Sequence, residues 1–149
     1  MAGFKAPSNK VVVAGIPIIQ SLKVRGTLTE MKPGRFVIRD TTDAECSIAG
    51  AGALNAIGVL GYEQAHASTK PATIDTAYGT GVEVPVLDGP IVVRAYASEA
   101  ITKGAKVILA ANGQVANYPG TPAAGDDRKV VGKAQTTTTG AGVILVELT

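Results

Sequence analysis

The chain has 149 residues, a mass of 15.1 kDa and a formal net charge of +2, with 46% hydrophobic and only 17% charged residues. That is one domain, two at most, able to bury roughly 68–70% of its unfolded surface without metal or disulfide, and it is not the composition of a disordered tail. One Cys and one His exclude a Cys/His zinc site, an iron–sulfur cluster and an internal disulfide, while the small charge and few aromatics argue against a nucleic-acid surface.

Residues 1–10 are small and polar apart from Phe4, and Gly3, Pro7, Ser8 and Asn9 favour extended backbone. They read as an arm that carries Lys5 and Lys10. The apolar run from 11 to 19 imitates a secretory leader, but Pro17 interrupts it and no small-x-small site precedes Lys23 and Arg25, so a strand is expected. Leu22, Val24 and Leu28 alternate with Lys23, Arg25 and Thr27, the period of a half-buried strand. Lys32-Pro33-Gly34 is a turn, followed by a strand over 35–39. The longest uncharged stretch, 46–62, is Gly/Ala-rich, contains Asn55 and falls short of the ~20 residues of a membrane helix. A soluble protein with no membrane partner is expected.

Residues 56–62 are apolar but broken by Gly58 and Gly61, which favours strand or loop over a short helix. Residues 65–77 form a polar loop. Val82, Val84 and Val86 alternate with Glu83 and Pro85; Asp88-Gly89-Pro90 then leads into 91–96, and the two runs read as a hairpin. Pro85 marks an edge strand or a bulge. Residues 106–109 and 113–116 form a second hairpin, turned at Ala111-Asn112-Gly113, and 129–134 and 143–148 are closing strands. No stretch keeps an amphipathic helical period for three turns. The reading is all-β, a small barrel or sandwich with long loops and an extended N-terminal arm.

Within 11–149 the chain echoes itself, in units at about 22–87 and 90–149. Lys32-Pro33-Gly34-Arg35-Phe36-Val37-Ile38 resembles Thr102-Lys103-Gly104-Ala105-Lys106-Val107-Ile108 at an offset of 70. Ile57-Gly58-Val59 resembles Val131-Gly132-Lys133 at 74, and residues 79–84 resemble 140–145 at 61. Duplication and coincidence in a Gly/Val-rich chain both account for this.

Candidate chemistry is sparse. Gly50-Ala51-Gly52 and Gly79-Thr80-Gly81 lack the spacing of a phosphate loop. His66 lies in a polar loop, and nothing in the spacing of Ser68 or Asp75 makes them its catalytic partners. Cys46 follows Glu45, an acid that opposes thiolate formation, so it reads as a structural thiol. Asp40, Asp43 and Glu45, and the pair Asp126 and Asp127, lack the grammar of a calcium loop and read as solvated. Lys103 and Lys106 flank a turn, too sparsely for nucleic acid. No catalytic, cofactor-binding or metal-binding residue is expected, and no cofactor. Low charge and exposed strand edges call for burial in an assembly.

The C-terminal half carries a resemblance. Pro90-Ile91-Val92-Val93-Arg94-Ala95, the turn-led strand 101–108, Ala111-Asn112-Gly113-Gln114-Val115, Lys129-Val130-Val131-Gly132-Lys133-Ala134 and Gly140-Ala141-Gly142-Val143-Ile144-Leu145-Val146 resemble the tailed-phage capsid decoration, or head cement, proteins over about 80–149. The resemblance implies a small β-barrel or sandwich, usually a homotrimer, on the outside of an icosahedral shell, made in the host cytoplasm. It would clamp neighbouring subunits of the major capsid protein without catalysis. Phe4, Lys5 and Lys10 are the expected capsid contacts, Phe4 filling a pocket while the arm adds to a strand edge. The alternative is a surface- or carbohydrate-binding β module of a viral fibre or spike, which the scattered aromatics do not favour. A small β-barrel enzyme using His66 with a carboxylate ranks behind both.

Overall fold

Short runs rich in β-branched residues, punctuated by Gly and Pro, become eleven strands among the described residues of a computed structural model, which are 6–25, 29–51 and 53–149. They are β1 (Val12–Ala14), β2 (Ile18–Val24), β3 (Phe36–Arg39), β4 (Glu45–Ile48), β5 (Ala56–Leu60), β6 (Glu83–Asp88), β7 (Val92–Ala97), β8 (Lys106–Leu109), β9 (Val115–Asn117), β10 (Val130–Ala134) and β11 (Gly142–Leu148). Two short 3-10 turns, Ala111–Gly113 and Asp126–Lys129, are the helical elements among these residues. None of the helices is long and apolar enough to cross a membrane.

The fold is all-β and built from two closed sheets. The N-terminal barrel runs β2-β4-β3-β5-β6 and back to β2. The second sheet runs β7-β11-β10-β8-β9, and the β7–β9 pairing closes it, with β1 added to β7 from outside. The two rings share one strand order. In each, the first strand pairs parallel with the third, β2 with β4 and β7 with β9, and every other contact is antiparallel.

Registers match as well. Val37 pairs with Gly58 and Val107 with Gly132, each beside a bulge. A Cβ on Gly58 would strike the carbonyl of Leu87, and one on Gly132 the carbonyl of Glu147, so both ladders close against a backbone that leaves no room for a side chain. The Gly34 N–H donates to Leu60 O at 2.8 Å, and the Gly104 N–H donates to Ala134 O at 2.8 Å. The Tyr78 N–H donates to Met31 O at 2.8 Å, and the Thr138 N–H donates to Ile101 O at 2.9 Å. These pairings set the last offset at 60 rather than the 61 read from the Gly-x-Gly motifs, because Leu87 and Glu147 occupy the same rung. The stretches from Tyr78 to Leu87 and from Thr138 to Glu147 are equal in length, so the glycines sit one residue later in the second unit, and a one-residue slip in a strand exchanges its two faces.

Leu22, Val24, Met31, Val37, Cys46, Leu60, Tyr78, Val84 and Val86 fill the first barrel. In the second, Ala95, Ala97, Ile101, Val107, Val115, Ala134, Ile144 and Val146 belong to a larger cluster. That cluster also takes in Phe36, Val59 and Leu87 from the outer face of the first barrel, so the two barrels share one apolar layer.

Several expectations are corrected here. β6 and β7 are not a hairpin: β6 pairs with β2 and β5, and β7 with β1, β9 and β11. The turn at Asp88-Gly89-Pro90 carries the chain from one barrel to the next. Pro85 is not at a sheet edge. Alternation along β6 turns the side where its N–H is missing toward β5, whose ladder ends at Leu60, and its carbonyl accepts from the Gly61 N–H at 2.9 Å. Residues 45–48, taken with the acidic loop, form β4, with Cys46 fully buried. Thr27 and Leu28 lie outside the described residues.

Candidate interaction surfaces

Of the large hydrophobic side chains, Ile16, Ile18, Ile19 and Leu54 are exposed among the described residues, Ile16 at 88%. The first three lie where β1 passes into β2. The first four residues of β2 are all exposed, while Leu22 and Val24 dive into the barrel. Alternation places the Lys23 N–H on the β4 side and the Val24 N–H on the β6 side. The N–H groups of Ile19 and Ser21 therefore point away from β6, along an edge that β4 does not reach. Over the paired strands β2 and β6, on the other side of β2 from this edge, runs an open groove of about 430 Å³ walled by Ile19, Ser21, Glu83, Pro85, Gln64 and His66. Gln64 Oε1 is buried there without a hydrogen-bond partner.

Of the expected capsid contacts, Phe4 and Lys5 lie outside the described residues. Lys10 is exposed, one residue before the buried Val11. The start of β1 is anchored by Glu63, whose carboxylate accepts from the Val11 N–H at 2.9 Å and the Val12 N–H at 3.2 Å.

The His66 loop holds itself together. His66 Nδ1 and Ser68 Oγ are 2.7 Å apart, and the Ser68 N–H reaches the same nitrogen at 3.1 Å. Asp75 is engaged elsewhere, with Tyr96 and Arg94, so the three do not form a relay. Burial, with Asp40 as a smaller contributor, pushes the Cys46 thiol up to about 11, which suits a structural thiol and not a nucleophile. No group of three or more His, Cys, Asp or Glu could hold a metal ion among the described residues.

The sequence reading missed a polar joint between the barrels. Arg35, at the entry to β3, stacks over the Tyr96 ring at 4.3 Å from its centroid and donates to Asn112 O at 3.1 Å. Arg94 on β7 donates to the Tyr96 hydroxyl at 2.8 Å and lies 3.6 Å from Asp75. The Tyr96 hydroxyl in turn donates to Asp75. Burial, then that hydrogen bond, raises the Tyr96 hydroxyl above its ordinary range. Gly34 is wedged against the same surface, where a Cβ would sit 2.5 Å from Arg94 O. The legible signal was an arginine inside an otherwise apolar strand. What this chain presents is a double barrel with a bare strand edge, an apolar ridge and no assembled catalytic group among the described residues.

No curated protein matches the chain in sequence. A solved structure similar in fold is the N base of head fibre gp8.5 in bacteriophage phi29, at 12% identity and a TM-score of 0.54, covering 90% of this chain and 95% of that one. The model of the structural cement protein family (E217 gp24/Pam3 gp6) matches residues 9–149. The chain therefore belongs to the phage structural cement proteins and is a structural protein of the virion.

Proposed function

We propose that this protein decorates the outside of an icosahedral phage head and clamps neighbouring subunits of the major capsid protein, without catalysis. The family match over 9–149 carries the reading. Residues 11–149 act as one β domain of two repeated units, residues 1–10 act as an arm, and the protein assembles as a homotrimer after synthesis in the host cytoplasm. The repeated strand order and the shared apolar layer support the domain reading. The arm leads through β1 into Ile16 and Ile18, so Phe4, Lys5 and Lys10 and these two isoleucines can meet the shell together. Burying one Phe contributes roughly 1.5–3 kcal/mol, whereas each exposed lysine pair contributes about 0–1 kcal/mol. Three arms engaged at once multiply the effect through avidity.

Co-sedimentation with undecorated capsids tests this reading. Saturable binding that raises the shell's resistance to heat is expected. Residues 11–149 alone should keep their circular dichroism spectrum and bind far less. Absence of binding to shells, or binding to cell-surface glycans instead, would overturn the proposal.

A further inference from the structure

The internal correspondence of the two barrels exposes a contact that is made once and left open once. In the second barrel, Arg94 and Tyr96 on the outer face of β7 receive the Gly34 turn of the first barrel. The neighbouring turn Ala111–Gly113 completes the seat: Asn112 O accepts from Arg35, and the Gly113 N–H donates to Ala49 O at 2.8 Å. The β-ladder registers equate Arg94 with Ser21, Tyr96 with Lys23 and the turn 111–113 with the turn 41–44. Ser21, Lys23 and residues 41–44 are all exposed. The Arg94 N–H donates to Val11 O at 2.8 Å, whereas the equivalent Ser21 N–H has no backbone acceptor among the described residues.

The other half of the contact is duplicated too. Gly104 is the counterpart of Gly34, with φ of 92° against 85°. Gly34 is wedged against the second barrel, while a Cβ on Gly104 would meet nothing within 4 Å. The chain thus carries one occupied and one vacant turn, and one occupied and one vacant seat. The vacant pair offers opposite charges, alongside Arg25 and Arg39, which donate to Thr41 Oγ1 and Asp43 O in the same turn. Lys103 and Lys106 flank the turn; Asp43 and Glu83 border the seat, and neither carboxylate is ion-paired among the described residues. Glu45 is held by Arg25 at 3.0 Å, which leaves Glu83, opposite Lys23 on the β6 side, to offset the Lys23 charge.

We infer that the Gly104 turn of one copy docks on Ser21, Lys23 and the turn 41–44 of a second copy, repeating between chains the contact that joins the two barrels within a chain. Such a contact is heterologous and must close as a ring or run on as a filament. This deepens the trimer reading above: three copies would make a ring of six barrels. Ile19, on the same outer face two residues before Ser21, is covered by the arrangement.

Sedimentation equilibrium on the full chain tests the inference, with circular dichroism to confirm folding. The wild type should sediment as about three chains. Lys103→Glu and Asp43→Lys should each weaken association by about tenfold or more, and combining them in one chain should recover most of it. Gly104→Ala should stay folded yet fail to assemble, because its added Cβ enters the contact as one at Gly34 would enter Arg94 O. A trimer unchanged by all three variants, or a double variant no better than the singles, would overturn the docking. A wild type that is monomeric in solution but saturates capsids would also overturn it while leaving the cement reading standing.

Discussion

Gly34 and Gly104 form a matched pair within one molecule, and replacing each with alanine separates a backbone cost from a packing cost. Both sit at positive φ, so a side chain at either costs about 1–2 kcal/mol through local sterics alone. At Gly104 the cost ends there, since space around the new Cβ is open. At Gly34 the Cβ would lie 2.5 Å from Arg94 O and 3.4 Å from the Tyr96 ring. The first distance is far inside van der Waals contact and involves backbone that cannot swing away. The barrels must then separate by several tenths of an ångström, loosening the Arg35–Tyr96 stack, an overpacking cost of about 1–3 kcal/mol. Gly34→Ala should therefore be the more destabilising by about 1–3 kcal/mol, or roughly 2–12 °C in Tm for a chain of this size. Urea and thermal unfolding at one dilute protein concentration, below self-association, measure the difference. Equal losses, or a greater loss for Gly104→Ala, would refute the idea that the barrels are locked together at this turn.

Other outcomes follow from the same packing. The Cys46 thiol has its proton held more tightly in the folded state than its ordinary value of 9.0 allows, at about 11. Its contribution to stability is thus complete below pH 9 and is lost as pH rises toward 11. The Tm of the wild type should fall more steeply than that of Cys46→Ala across this window, and a thiol reagent at pH 8 should react only after denaturation. Tyr96→Phe removes the hydroxyl that links Arg94 to Asp75 and should cost about 1 kcal/mol in urea unfolding. A neutral result would mean that water replaces the link.

The elements legible in the sequence were those whose partners lie close along the chain. The β8–β9 hairpin carries its own signal at Asn112 and Gly113, whose positive φ values shape the turn. β10 and β11 showed through their Val-rich runs. β4 did not, because Asp40, Asp43 and Glu45 mask four residues whose only strongly apolar members are Cys46 and Ile48. The false hairpin at β6 and β7 has a related cause. A Gly-Pro turn between two Val-rich runs looks the same whether the strands pair or part, and the deciding contacts are with β2, almost 70 residues upstream, and β11, about 50 downstream. The interaction surface was hidden for the reverse reason. Ile18 and Ile19 look like core in a linear reading, and only the late start of the parallel strand β4, at Glu45 opposite Lys23, leaves that part of β2 uncovered. Arg94 and Tyr96 meet Arg35 because two barrels abut, a relation that no local pattern encodes.

The placement of β1 also governs the order in which the molecule can be completed. Val12 is translated 81 residues ahead of its partner Val93. At roughly 5–20 residues per second, β1 emerges about 4–16 s before β7 exists to receive it. During that interval the N-terminal barrel, whose five strands end at Asp88, can close on its own. Glu63 has then also been made and can hold the amides of Val11 and Val12 in extended form before the ladder arrives. β1 can therefore wait as a tethered strand on a finished barrel, the earliest of the eleven described strands and among the last to be paired.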